Sequence, residues 1–80
     1  MGNDEASHFE RHDPARNMRR YWRLTITRDL FGTVLLLREW GRIGTAGRSL
    51  AEPHADLPAA RAAAARLARR KTGRGYVRVG

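Results

Sequence analysis

The sequence predicts a small α+β fold, a short antiparallel sheet with one helix on one face. Three observations carry that expectation. Two runs rich in aromatic, aliphatic and β-branched residues, at 21–27 and 33–43, are joined by a short glycine-containing link. An Ala-rich stretch over 59–71 contains no breaker, and a last short alternating run follows at 76–79. The order is hairpin, short strand, helix, strand, which leaves one sheet face free to meet a partner.

Tyr21-Trp22-Arg23-Leu24-Thr25-Ile26-Thr27 alternates apolar and polar residues. Period two puts Trp22, Leu24 and Ile26 on one face of a half-buried strand. Asp29-Leu30-Phe31-Gly32 breaks the alternation with turn chemistry. Thr33 to Ile43 is a second, longer strand, and its apolar run from Val34 to Leu37 suits a central strand covered on both faces. Gly41, Gly44 and Gly47 punctuate the turn that follows. Arg48 to Ala51 is expected as a short third strand, leaving through Glu52-Pro53. Asp56 stands at an N-cap position with Pro58 in the first turn. The helix over 59–71 puts Ala60, Ala64, Leu67 and Ala68 on its apolar face, and Gly73 and Gly75 end it. Tyr76 to Val79 closes the chain as a strand.

Residues 1–17 read differently. They are polar, carry no hydrophobic period, and have Phe9 as their only large apolar side chain. Such a segment is expected to be a disordered acidic arm, with the ordered domain spanning 18–80.

The 80 residues amount to 9.1 kDa, one small domain with little room for an enclosed catalytic cavity. The absence of cysteine excludes disulfide scaffolds, thiol nucleophiles and cysteine-ligated metal sites. His8 and His12 are four apart without a third ligand nearby, so neither a metal nor a cofactor is expected. Ser49 and His54 have no third member, and Glu39, Glu52 and Asp56 are scattered. The glycine-rich 41–47 stretch lacks the spacing of a phosphate-cradling loop. No enzyme signature emerges. No apolar run approaches the ~20 residues of a membrane span. No signal peptide opens the chain, so the expected address is the cytoplasm.

The formal net charge is +8, and it is unevenly placed. Residues 1–17 net −2, with four acidic groups against Arg11 and Arg16; the remainder nets +10. A surface of that sign attracts polyanions, nucleic acid first. Arg38, Trp40 and Arg42 fall at i, i+2 and i+4 on the second strand, and so share a face. Arginine pairs phosphate bidentately and tryptophan stacks on a base or sugar. Spacing alone fits a core Trp40 equally well.

Trp40-Gly41-Arg42 followed by Ile43-Gly44 resembles the signature of the WGR domain. Members include modules of DNA-dependent poly(ADP-ribose) polymerases and short stand-alone bacterial proteins. Tyr21 to Ile26 resembles the family's opening aromatic strand, and Arg38 to Gly44 with Gly47 its central strand and turn. Ala60 resembles the helix start, and Lys71-Thr72-Gly73 with Gly75-Tyr76 the helix exit. The resemblance covers about residues 18–79. It implies a twisted antiparallel sheet with one packed helix, and sequence-independent DNA binding at ends or nicks. It further implies that Trp40 lies against a terminal sugar and that Arg42 contacts DNA and neighbouring domains. Charge and proximity in sequence add Arg38, Arg48 and Lys71; Lys71 equally suits the carbonyls at the helix end. Neither a catalytic domain nor a zinc finger accompanies the module in these 80 residues, which puts the interdomain half of the Arg42 role in doubt. The alternative partner is an acidic protein meeting the same basic face, with the acidic arm able to cover it in cis. RNA remains open beside DNA. An anionic membrane is a poor fit, because the helix face has no aromatic anchor.

Overall fold

The central hairpin forms where the alternation places it. In the computed structural model, which describes residues 4–80, β2 (Met18–Arg28) pairs antiparallel with β3 (Val34–Arg42) in the register Trp22↔Trp40, Leu24↔Arg38, Ile26↔Leu36. β4 (Arg48–His54) pairs antiparallel with β3 and runs beyond the expected Ala51, carrying Glu52, Pro53 and His54 in its ladder. Helix α1 (Leu57–Thr72) begins at Asp56, whose side chain accepts from the Ala59 N–H at 2.8 Å. After the helix, Gly75 adopts φ +94°, and β5 (Val77–Arg78) ends the sheet. All five strands form one antiparallel sheet in the order β4-β3-β2-β1-β5.

The expected disordered arm is instead a strand. β1 (Glu5–Asp13) pairs with β2 along its whole length, from Glu5↔Ile26 to Asp13↔Met18, and takes β5 on its other edge. A single 3-10 turn at Pro14–Arg16 and a left-handed Asn17 (φ 50°) close the β1–β2 hairpin. The ordered domain therefore begins by residue 5, and the part of the expected arm at residues 1–3 lies outside the described residues. The difference has a physical cause. One face of β1 carries Ala6, His8, Glu10 and His12 toward solvent, and its inner face has Phe9 as the only large apolar side chain. Backbone pairing, invisible to a hydrophobic count, holds the rest. Because β1 is locked in the sheet, it cannot fold over the basic face as a cover. Glu5 pairs with Arg61, and Glu10 lies between His8 and His12.

The core lies between the sheet and α1. Phe9, Trp22, Leu24, Ile26, Val34 and Leu36 supply the sheet side, and Ala60 and Ala63 the helix side, with Tyr76 closing one end. Alanines at the contact let the helix approach the sheet closely. The opposite face is open, as expected. It is wider than expected, because Leu35 and Leu37 of β3 lie on it half-buried, so this strand is covered on one face only.

The β3–β4 connection depends on two glycines. A Cβ on Gly41 would sit 2.8 Å from the Gly47 Cα. A Cβ on Gly47 would strike the Trp40 carbonyl oxygen, and Gly47 is also at φ +67°. The loop thus folds back over the space that Gly41 leaves, and the Tyr21 hydroxyl ties it down by donating to the Ala46 carbonyl at 2.9 Å. Gly47→Ala should cost about 2 kcal/mol or more, read by urea unfolding. A change under ~0.5 kcal/mol would show that the loop is free to move away.

Candidate nucleic-acid interface

Cross-strand register arranges the inner face of the sheet in rows. One row runs Phe9–Trp22–Trp40–Arg48, and the next, toward one end of the sheet, runs Arg11–Arg20–Arg42. α1 runs so that Lys71, in its last turn, reaches this end. Its ammonium lies 5.2 Å from the ring centres of both Trp22 and Tyr76. The helix exit adds Arg70 and Arg74.

Trp40 stands at the edge of the core, half-buried against it, and forms a wall of two clefts. One cleft, about 230 Å³, is lined by Trp22, Arg38, Leu67, Arg70 and Arg74 besides Trp40 and Lys71. The other, about 410 Å³, lies toward Arg20, Gly41, Arg42 and Tyr76, again with Lys71. Among the described residues, no carboxylate lies within 4.0 Å of the basic groups of Arg20, Arg42, Arg48, Arg70, Lys71 or Arg74. Burial pushes the Lys71 pKa below the usual lysine range, and repulsion from Arg74, Arg20, Arg38 and Arg70 pushes it the same way. Unneutralised like charges gathered around one aromatic wall are costly in the free protein and favour an incoming polyanion.

The sequence-selected residues divide. Trp40, Arg42, Lys71 and Arg48 gather at this end: Arg42 is exposed and donates to the Asn17 carbonyl at 3.2 Å, and Arg48 is the cross-strand partner of Trp40. Lys71 sits over aromatic rings rather than on the helix-end carbonyls. Those carbonyls are met by backbone, with Gly73 N–H donating to Arg69 O and Tyr76 N–H to Lys71 O. Arg38 lines one cleft but is already engaged. Its guanidinium pairs with Glu52, which also meets His54 Nε2 at 2.8 Å. That guanidinium holds the Glu52 carboxyl below the usual carboxylate range, and His54 adds to the effect. The stripe faces the helix side of the sheet, not the open face.

Arg20, Arg70 and Arg74 join the site without having been singled out in the sequence. Arg20 was within reach of it, because period two puts it on the Trp22 face, although its pairing to Arg42 depends on the hairpin register. Arg70 and Arg74 are brought in by the helix exit.

The sequence model of the WGR domain matches residues 5–80. The chain belongs to the WGR family. That match adds β1 to the span over which the sequence motifs resemble the family. WGR domains are nucleic-acid-binding modules of poly(ADP-ribose) polymerase-like proteins, and they bind rather than catalyse. The chain is also similar to the uncharacterised protein y4dW of Sinorhizobium fredii, 44% identical over 69 residues that make up 86% of this chain and 34% of that protein. The chain thus spans about a third of that relative's length. No solved structure matches it. Among the described residues, no helix is long and apolar enough to cross a membrane. No group of three His, Asp or Glu side chains is placed to hold a metal ion among them.

Proposed function

We propose that this WGR domain is a non-enzymatic, sequence-independent DNA-binding module that favours duplex ends or nicks. The observation that carries this reading is the position of Trp40 between two clefts whose Arg20, Arg42, Arg70, Lys71 and Arg74 have no carboxylate partner among the described residues. An indole in that position offers its face to a sugar or base exposed where a duplex is interrupted. Arg42, Arg20, Lys71 and Arg48 supply backbone contacts on either side. Arg38 serves as a positioning residue, since Glu52 fixes its guanidinium beside the Trp40 wall. In this reading the module works in the cytoplasm.

Four to six phosphate contacts give non-specific affinities of ~10⁻⁴–10⁻⁶ M at physiological salt, with each contact adding ~0.9 to the log–log salt slope. The test is an amide NMR titration with a short 5′-phosphorylated duplex and with a closed dumbbell of the same sequence, each at two salt concentrations. Shifts should centre on Trp40, Arg42 and Lys71, weaken with salt, and be stronger for the open duplex. Trp40→Ala should remove the preference for open ends at ~1–3 kcal/mol, the value of one stacked base. Equal binding of open and closed duplexes by the wild type would refute end preference, and salt-independent binding would refute backbone contact.

A further inference from the structure

Three features remain unused by the nucleic-acid reading. The first is the tip of the β2–β3 hairpin. Leu30 and Phe31 are 99% and 93% exposed, yet the turn that carries them is firmly built. The Asp29 carboxylate accepts from the Phe31 and Thr33 N–H groups at 2.9 and 3.0 Å, and Arg28 donates to the Gly32 carbonyl. Two large apolar side chains held out on a fixed turn are costly to leave in water.

The second is a cleft of about 330 Å³ on the open face, at the other end of the sheet. His8 and Tyr21 form one wall, stacked at 6.1 Å, and Ile43, Thr45 and Ala46 another. The third is the charge of that face. Its strands carry Arg19, Arg23, Glu10 and Glu39, which cancel, in a chain of net charge +8. Leu35 and Leu37 lie on it, and Val77 and Val79 are exposed at its β5 edge.

We infer that the open face is a homodimer interface, in which the Leu30–Phe31 tip of each copy enters the Tyr21–Ile43 cleft of the other. A second copy is an occupant the charges allow: two chains of net charge +8 repel overall, and this face, where Glu10 and Glu39 offset Arg19 and Arg23, adds no net like-charge repulsion across the contact. The fit is self-complementary. Tip and cleft lie at opposite ends of β2, about 23 Å apart from Tyr21 to Arg28 at ~3.3 Å per residue. A two-fold axis between two facing sheets, running across the strands, sets each tip over the far end of the other copy. Both contacts then form at once and the assembly closes at two. With extents of 45 × 24 × 20 Å, the broad face of the molecule can supply the ~800 Å² per partner of a standard interface. The two cationic ends stay outside the contact and point apart. The inference stands independently of what those ends bind.

Sedimentation from micromolar to near-millimolar protein tests it, with amide shifts followed over the same range. The expected result is a monomer–dimer equilibrium, with concentration-dependent shifts at Phe31, Tyr21, Ile43 and Ala46 and none along α1. Phe31→Asp lies outside the core and leaves the fold intact; it should weaken dimerisation at least about tenfold, as an interface anchor does. Ala46→Arg, at the cleft, should do the same. A wild type that stays monomeric overturns the proposal. So does a dimer unaffected by both substitutions, one whose shifts map to α1, or growth into open polymers.

Discussion

Phe9→Ala should remove most of the stability of this domain, although Phe9 lies in the segment that looks least structured in the sequence. Its side chain is 2% exposed and tilts against Trp22 with ring centres 5.5 Å apart. Truncating a buried phenylalanine costs about 3–5 kcal/mol. A single small core rarely supplies more than ~3–5 kcal/mol in total. The variant should therefore be largely unfolded at 37 °C, with far-UV circular dichroism and urea titration as the measurements. His12→Ala, on the exposed side of the same strand, is the control and should change stability by no more than ~0.5 kcal/mol. If Phe9→Ala loses less than ~1 kcal/mol, β1 is a dispensable arm after all.

What the sequence disclosed follows from where side chains do the holding. The β2–β3 hairpin, the Asp56 cap and α1 were legible because each has a side-chain signal: alternation in Tyr21–Thr27, a capping carboxylate, and an unbroken alanine run. β1 was illegible because backbone pairing to β2 and one buried ring sustain it. The coverage of β3 is illegible for a related reason. An apolar run such as Val34–Leu37 cannot say whether its second face meets protein or water. Leu35 and Leu37 meet neighbouring strands within the sheet and no second layer.

The site was legible as a strand stripe and illegible as a neighbourhood. Period two placed Arg38, Trp40 and Arg42 on one face, and the structure keeps them there. Which face that is depends on the side α1 packs against. The order of elements left the sheet's open side for a partner, whereas the stripe turns toward the helix. Glu52, fourteen residues from Arg38, lies across the β3–β4 ladder in position to pair with its guanidinium. Lys71 came into the site because the helix length carries it back to Trp22 and Tyr76. Those are tertiary facts, set by register and helix length rather than by local pattern.

Arg20→Gln should change stability and DNA binding in opposite directions. Arg20 lies directly between Arg11 on β1 and Arg42 on β3. Like charges directly opposite on a sheet are destabilising, by the same ~0.2–1 kcal/mol that opposite charges contribute. Removing the middle charge relieves two such pairs while keeping most of the side-chain stem. Stability should rise by up to ~1 kcal/mol, a shift of about 4–8 °C in Tm for a domain this size. Binding should fall, with the salt slope shallower by ~0.9, the value of one neutralised phosphate. Adding Arg42→Gln should lower the slope again by a similar step. Part of its stability gain will be offset, since Arg42 also donates to the Asn17 carbonyl at 3.2 Å. Arginines that repel one another in the free protein are relieved when something anionic lies across the row. If Arg20→Gln lowers Tm and leaves the salt slope unchanged, the row is structural and the interface lies elsewhere.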